Sequence, residues 1–279
     1  MSTLLDSFGQ QFFRLALVEA VLVGAVAGAV GVHVLLRRLP FFVVAMSHAT
    51  FPGVVLGSLL GVSLFAGGAA VGIGVALVIV AIGATRSVDE SSAVGIVLAG
   101  SFAVGVLVLS AQPGASRDLS AYLVGSIVTV SGADLVTTAV VGALLLGVLA
   151  TFHKELVLGA FDPAGLAALG YPATRLDTLV LVVVTVALVI SVPAVGTLLA
   201  VALLTVPALA ARQWTDRVAP MTVLAAGLGA ASGVIGLCLS AAYDIAAGGA
   251  IALTATGLFT LSTVARSVRA GVRPASAPR

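Results

Sequence analysis

Ala45-Met46-Ser47-His48-Ala49-Thr50-Phe51-Pro52-Gly53-Val54-Val55-Leu56-Gly57 lies inside the apolar run Phe41–Val62. About 20 apolar residues are what a helix needs to cross a bilayer, yet this stretch holds an imidazole, two hydroxyls and a proline. A histidine at membrane depth is costly to leave unpaired, so it faces a protein interior or a water-filled cavity. Pro52 removes a backbone donor and kinks the helix one turn after His48. Gly53, Gly57 and Gly61 recur every four residues and make a smooth stripe for another helix to approach. A packing face and a polar edge therefore adjoin on one helix, as the wall of a pathway requires.

The surroundings match. The 279 residues are 60% hydrophobic and only 9% charged, and the mean hydropathy is +1.24. Soluble domains carry roughly a quarter charged residues, so the chain is expected to be an all-α polytopic membrane protein. The net charge of +2 says little, and nucleic acid is not an expected partner. The single cysteine, Cys238, excludes an intramolecular disulfide and a cysteine-cluster metal site. Met1–Gln10 carries Asp6 and no basic residue, unlike a signal peptide. The sole lysine, Lys154, follows His153 rather than glycine, so there is no phosphate-cradling G-x-x-x-x-G-K-[ST] loop.

Hydropathy and turn signals place about nine spans, near Phe12–Leu36, Phe41–Val62, Phe65–Ala84, Ala93–Ser110, Leu135–Phe152, Leu176–Val192, Val195–Ala211, Met221–Ala242 and Ala246–Ala265. The pair around Pro193 and Gly196 can also be read as one broken element, leaving eight. With the N-terminus outside and the C-terminus cytoplasmic, Arg37, Arg38, Arg86, Lys154, Arg175, Arg212, Arg217, Arg266, Arg269, Arg273 and Arg279 fall inside. Only Arg14 and Arg117 then stay outside, as the positive-inside rule asks. Arg37 and Arg38 read as lipid-headgroup anchors.

Residues 1–265 form one membrane domain in this reading, and 266–279 a basic, disordered cytoplasmic tail near anionic lipid. Outside, Leu119–Val130 reads as a short or re-entrant helix. Inside, the loop 153–172 contains a helix start at Asp162-Pro163 and a stop at Gly170, enclosing an Ala/Leu helix of about two turns. That helix is shaped either to transmit force from a docked partner or to serve as a plain connector.

The chain resembles the permease subunits of bacterial ABC importers for zinc and manganese. Leu36-Arg37-Arg38-Leu39-Pro40-Phe41, then Ser47-His48-Ala49 and Pro52-Gly53, are similar to that family's second-span segment. Asp89-Glu90-Ser91-Ser92-Ala93-Val94-Gly95-Ile96 resembles its turn into the fourth span. Asp118-Leu119, Tyr122-Leu123, Gly125-Ser126-Ile127, Ser131 and Asp134 are similar to its external segment. Phe161-Asp162-Pro163 with Ala168-Leu169-Gly170-Tyr171-Pro172 looks like its coupling loop. Val195-Gly196-Thr197-Leu198-Leu199, Ala202-Leu203-Leu204 and Pro207-Ala208 resemble a late span. The family commonly has an aspartate where this chain has Val44, an acidic residue at Ala164 and a small one at Leu166.

The resemblance implies a multi-pass subunit of the bacterial plasma membrane that binds no cofactor and is not an enzyme. It implies two permease copies around a central path, two ATP-hydrolysing subunits beneath, and an extracellular or periplasmic metal-binding protein that delivers the ion. It also implies that Phe161, Asp162, Pro163, Ala168 and Gly170 seat against the ATPase.

The metal candidates are His48, His33 and Glu19, since imidazole and carboxylate suit zinc and manganese. His48 is open to two roles, pathway ligand or imidazole hydrogen-bonded within the bundle. His33 sits a turn from the end of the first span, at a depth similar to His48, and either compensates for the absent aspartate or bonds near the interface. Glu19, costly as a charge at that depth, marks a pathway entrance or pairs with Arg14 or a partner subunit. Gly24, Gly28, Gly53, Gly57 and Gly61 read first as packing positions. Other readings are a permease for a chelated metal, a secondary transporter and an intramembrane enzyme. The last two are disfavoured by the lack of visible repeats and of H-E-x-x-H or G-x-S-x-G.

Overall fold

With no water to satisfy backbone groups in lipid, apolar runs of this length must become helices. The computed structural model describes residues 11–84, 89–111, 127 and 130–272, and among these there is no strand. In chain order the helices are α1 (Gln11–Leu36), α2 (Pro40–Ala49), α3 (Phe51–Leu59), α4 (Leu64–Ala84), α5 (Glu90–Ser110), α6 (Gly132–Thr151), α7 (His153–Phe161), α8 (Pro163–Ala168), α9 (Ala173–Val195), α10 (Thr197–Arg212), α11 (Val218–Tyr243) and α12 (Ala247–Val272). Counting α2 and α3 as one, eight are long and apolar enough to cross a membrane. The external segment expected at Leu119–Val130 lies outside the described residues apart from Ile127 and Val130, as do Arg86, Arg117 and everything beyond Val272.

α1 is the centre. It is apolar apart from Gln11, Arg14, Glu19 and His33, and Ala16, Val23, Ala27, Val30, Val32 and Val34 are fully enclosed, the mark of a helix packed among others. It packs on α11, α10, α6 and α9. Where α1 meets α11 the backbones almost touch: a Cβ on Gly24 would strike the Gly229 carbonyl, and one on Gly28 the Ala225 carbonyl. Because 24 faces 229 and 28 faces 225, the two helices are antiparallel. In the same way Gly68 and Gly72 of α4 face Val189 and Thr185 of α9, and Gly236 of α11 faces Ile251 of α12.

These registers fix the course of α10. α9 starts beside the end of α1, where Arg37 pairs with Asp177, and runs to the opposite face. There Gly196 takes φ 84°, ψ 163°, a backbone conformation that glycine alone enters cheaply. The chain reverses, and α10 returns with Ala208 and Ala211 packed beside Val32 of α1. At 16 residues α10 spans about 24 Å, shorter than the other passes. Among the described residues the bundle thus has eight segments long and apolar enough to cross and a short ninth, and the start of α1 and the end of α12 lie on opposite sides of the bundle. Among the described residues Arg37, Arg38, Lys154, Arg175, Arg212, Arg217, Arg266 and Arg269 belong to one face, called here the basic face, and Arg14 to the far face.

Four expectations need correcting. Gly61 is not part of the packing stripe: its φ is +67° and a Cβ there would meet nothing. It terminates α3, with the Val62 N–H donating to the Gly57 carbonyl at 2.9 Å, a left-handed helix stop. Arg37 is not a lipid anchor, since its side chain is 11% exposed and paired with Asp177. The loop 153–172 holds a helix before the expected one, α7, fastened by the fully buried Leu156. Residues 266–272 are helical rather than tail: Arg266 donates to Gln213 Oε1 at 2.9 Å and Arg269 lies 4.8 Å over the Trp214 ring.

Candidate functional site

The α2–α3 break sets His48. Pro52 has no N–H to give, so the ladder shifts at Thr50: the Thr50 N–H donates to Met46 at 3.1 Å, and the Gly53 N–H turns back to Thr50 at 3.0 Å. The carbonyl of Ala49 is thereby freed, and Ser101 Oγ of α5 donates to it at 2.7 Å. Alongside, the half-buried His48 ring stands edge-on to Phe102 of α5, with centroids 6.2 Å apart and planes at 86°. One turn earlier Val44 is 41% exposed, and Phe41 and Phe102 are also open. His48 thus edges a surface that this chain alone does not cover. Gly53 and Gly57 of the same segment are pressed against Gly67 of α4.

Glu19 lies deep in α1 and is 1% exposed. Thr138 Oγ1 of α6 donates to its Oε1 at 2.7 Å, while Oε2 is buried with no hydrogen-bond partner. Arg14 makes no ion pair with it. Glu19 lines a cavity of about 270 Å³ towards the far face, together with Ser63, Phe65, Val130, Asp134 and Pro193. Asp134 also closes a capping box at the start of α6, where its side chain accepts from the Ser131 N–H at 3.0 Å.

His33 is enclosed at the other end of α1, 2% exposed, with Nδ1 unpartnered. Its titratable neighbours are Arg37 and His153. Fourteen residues separate it from Glu19, about 21 Å along the axis. The three metal candidates are not brought together. Among the described residues no group of three or more His, Cys, Asp or Glu side chains could hold a metal ion.

On the basic face α7 and α8 form an elbow. Asp162 Oδ1 accepts from the Gly165 N–H at 2.8 Å, and Pro163 fills the first helical position. Leu166, 1% exposed, packs on Gly159 of α7, beside which Arg37 also lies. Gly170, at φ +83°, ends α8. Facing away from the bundle are Phe161 at 65%, Leu169 at 68% and Tyr171 at 44% exposed. Thr138, Ser101, Phe102 and Asp177 carry no signal in the sequence, because each matters only through a partner on a distant helix.

Comparison with known proteins agrees with this architecture. The model of the ABC 3 transport family matches residues 9–266. The manganese transport system membrane protein MntC of Halalkalibacterium halodurans is 34% identical over 266 residues, covering 94% of this chain and 91% of that protein. The zinc transport system membrane protein TroC of Treponema pallidum is 33% identical, covering 94% and 91%. Among solved structures, PsaBC from Streptococcus pneumoniae in complex with Fab superposes with a TM-score of 0.84 at 33% identity, covering 94% of both chains. An inward-facing metal-chelate type ABC transporter shares the fold alone, with a TM-score of 0.69 at 22% identity and 91% of this chain covered. The chain therefore belongs to the ABC 3 transport family, as a multi-pass permease of the bacterial plasma membrane rather than an enzyme.

Proposed function

We propose that this chain is the membrane subunit of an ABC importer that moves a divalent transition-metal ion, manganese or zinc, into the cell, with ATP hydrolysed by a separate subunit. The observation that carries the metal reading is His48. It is the one ionisable side chain of the broken α2–α3 crossing, edge-on to Phe102 and set at the edge of a surface left open beside Val44 and Phe41. A second copy of the chain meeting that surface would bring two imidazoles to one path. Few ligands per chain suit a transported ion, which must bind weakly enough to leave. His33, closed in beside Arg37 and His153, serves the packing under the coupling loop rather than the ion.

The basic face is assigned to the cytoplasm, since eight of the nine described basic residues belong there. The α7–α8 elbow then points Phe161, Leu169 and Tyr171 at the ATPase, and the far face receives the metal-binding protein. Relatives named for manganese and zinc transport support the cargo class. The test is uptake of radioactive manganese and zinc by cells that depend on this system. His48→Ala is expected to lower uptake at least tenfold while leaving the amount of protein in the membrane unchanged. Uptake equal to wild type removes His48 from the path.

A further inference from the structure

We infer that the open-mouthed cavity between α1, the start of α4, α6 and the end of α9 is a separate cation site, built from oxygen ligands and placed at the far-face mouth of the path. Its two carboxylates are Glu19 and Asp134, and Ser63 adds a hydroxyl. Among the described residues no basic side chain lines it. Thr138 pins Glu19 Oε1 and leaves Oε2 buried without a donor. A buried carboxylate with an unsatisfied oxygen is costly unless a cation or proton meets it. A second carboxylate on the same cavity raises the demand for positive charge.

The backbone adds to this. Pro193 and Ala194, on the cavity wall, belong to the last turn of α9. Carbonyls in a last turn lack intrahelical donors and carry the negative end of the helix dipole. A cavity of about 270 Å³ has room for an ion that keeps several of its waters, each needing about 30 Å³. With no imidazole or thiolate among the described lining residues, the donor set suits a hard divalent ion, manganese before zinc. This assignment deepens the permease reading, on which it rests for the identity of the cargo, by naming manganese as the ion captured first.

The experiment is an Mn²⁺ titration of the full chain in lipid nanodiscs, followed by electron paramagnetic resonance. The site predicts a bound population without hyperfine coupling to imidazole nitrogen, whereas an ion at His48 carries that coupling. Glu19→Gln and Asp134→Asn should each weaken the nitrogen-free population at least tenfold. Asp134→Asn keeps an amide oxygen for the α6 cap, so it serves even where Glu19→Gln impairs folding. Unchanged nitrogen-free binding in both variants overturns the site. His48→Ala uptake equal to wild type, with nitrogen-free binding intact, would instead overturn the path assignment and leave the site standing.

Discussion

Single residues decide how tightly the bundle closes, and the glycines divide into kinds that the sequence spells alike. Gly24 and Gly28 sit where a Cβ would run into carbonyls of α11, whereas Gly61 has space around it but a left-handed backbone. Gly74 has neither restriction. Gly28→Val is therefore expected to force α1 and α11 apart at a cost of about 1–3 kcal/mol. Gly61→Ala should cost about 1–2 kcal/mol through backbone strain alone, and Gly74→Ala should be neutral or stabilising by up to about 1 kcal/mol. Thermal unfolding in one detergent ranks the three, and equal effects at Gly28 and Gly74 would refute the division. A four-residue repeat is the same text for a packing stripe and for a helix stop, which is why Gly61 reads wrongly beside Gly53 and Gly57. A second residue-scale device is Asp89, whose carboxylate takes the Ser92 hydroxyl at 2.6 Å and the Ser92 N–H at 3.1 Å. The Ser92 hydroxyl first, then its backbone N–H, holds the Asp89 pKa below its ordinary 3.8. The folded value lies below the unfolded one, so the cap's contribution to α5 is complete above the ordinary value. It is lost as pH falls through the depressed one. A carboxyl titration by NMR should show this depression, and Ser92→Ala should remove most of it.

At the level of elements, the junction of α1, α7 and α9 turns on one ion pair of unequal partners. The Arg37 side chain is 11% exposed and that of Asp177 57%, and Arg37 Nε and Nη2 already lack partners. Removing Asp177 leaves an enclosed guanidinium with no counter-charge. Removing Arg37 leaves a carboxylate that water can solvate. Asp177→Ala should accordingly destabilise by about 1–3 kcal/mol, while Arg37→Met, apolar and of similar length, should cost less than about 1 kcal/mol. Unfolding of the two variants and the double variant checks this, and the reverse order would refute the burial argument. The sequence made part of this junction legible: Asp162-Pro163 and Gly170 are start and stop chemistry that works locally, and they bound α8 as expected. α7 was hidden because His153-Lys154-Glu155 reads as a polar loop, and only contact with the bundle makes a core residue of Leu156. Arg37 was misread for the same reason. A basic residue at a helix end fits a headgroup equally well, and its partner lies 140 positions away.

For the whole molecule, everything on the far side of Gly196 depends on whether α10 crosses. Sequence alone left the stretch 173–212 ambiguous, since it is nearly continuous apolar text and Gly196 with Pro193 fits a kink as well as a reversal. Packing decides it, because Gly31 near the basic end of α1 lies against Leu204 and Ala208. α10 therefore descends to the same face that α9 left. This forces the α10–α11 loop around Thr215 onto the face of the α7–α8 elbow, and the α11–α12 turn at Asp244 onto the opposite one. Were α9 and α10 a single broken pass, the Thr215 loop would exchange faces while the elbow stayed in place. Cysteine accessibility distinguishes the two arrangements once the native thiol is removed by Cys238→Ala. Thr215→Cys and Ala164→Cys should resist a membrane-impermeant maleimide in intact cells and label after permeabilisation, while Asp244→Cys should label from outside. Thr215→Cys labelling in intact cells, with Asp244→Cys protected until permeabilisation, would mean that α9 and α10 make a single pass. The antiparallel hairpin of α11 and α12 against α1 would then have to be abandoned, and with it the far-face cavity that Glu19 and Pro193 share.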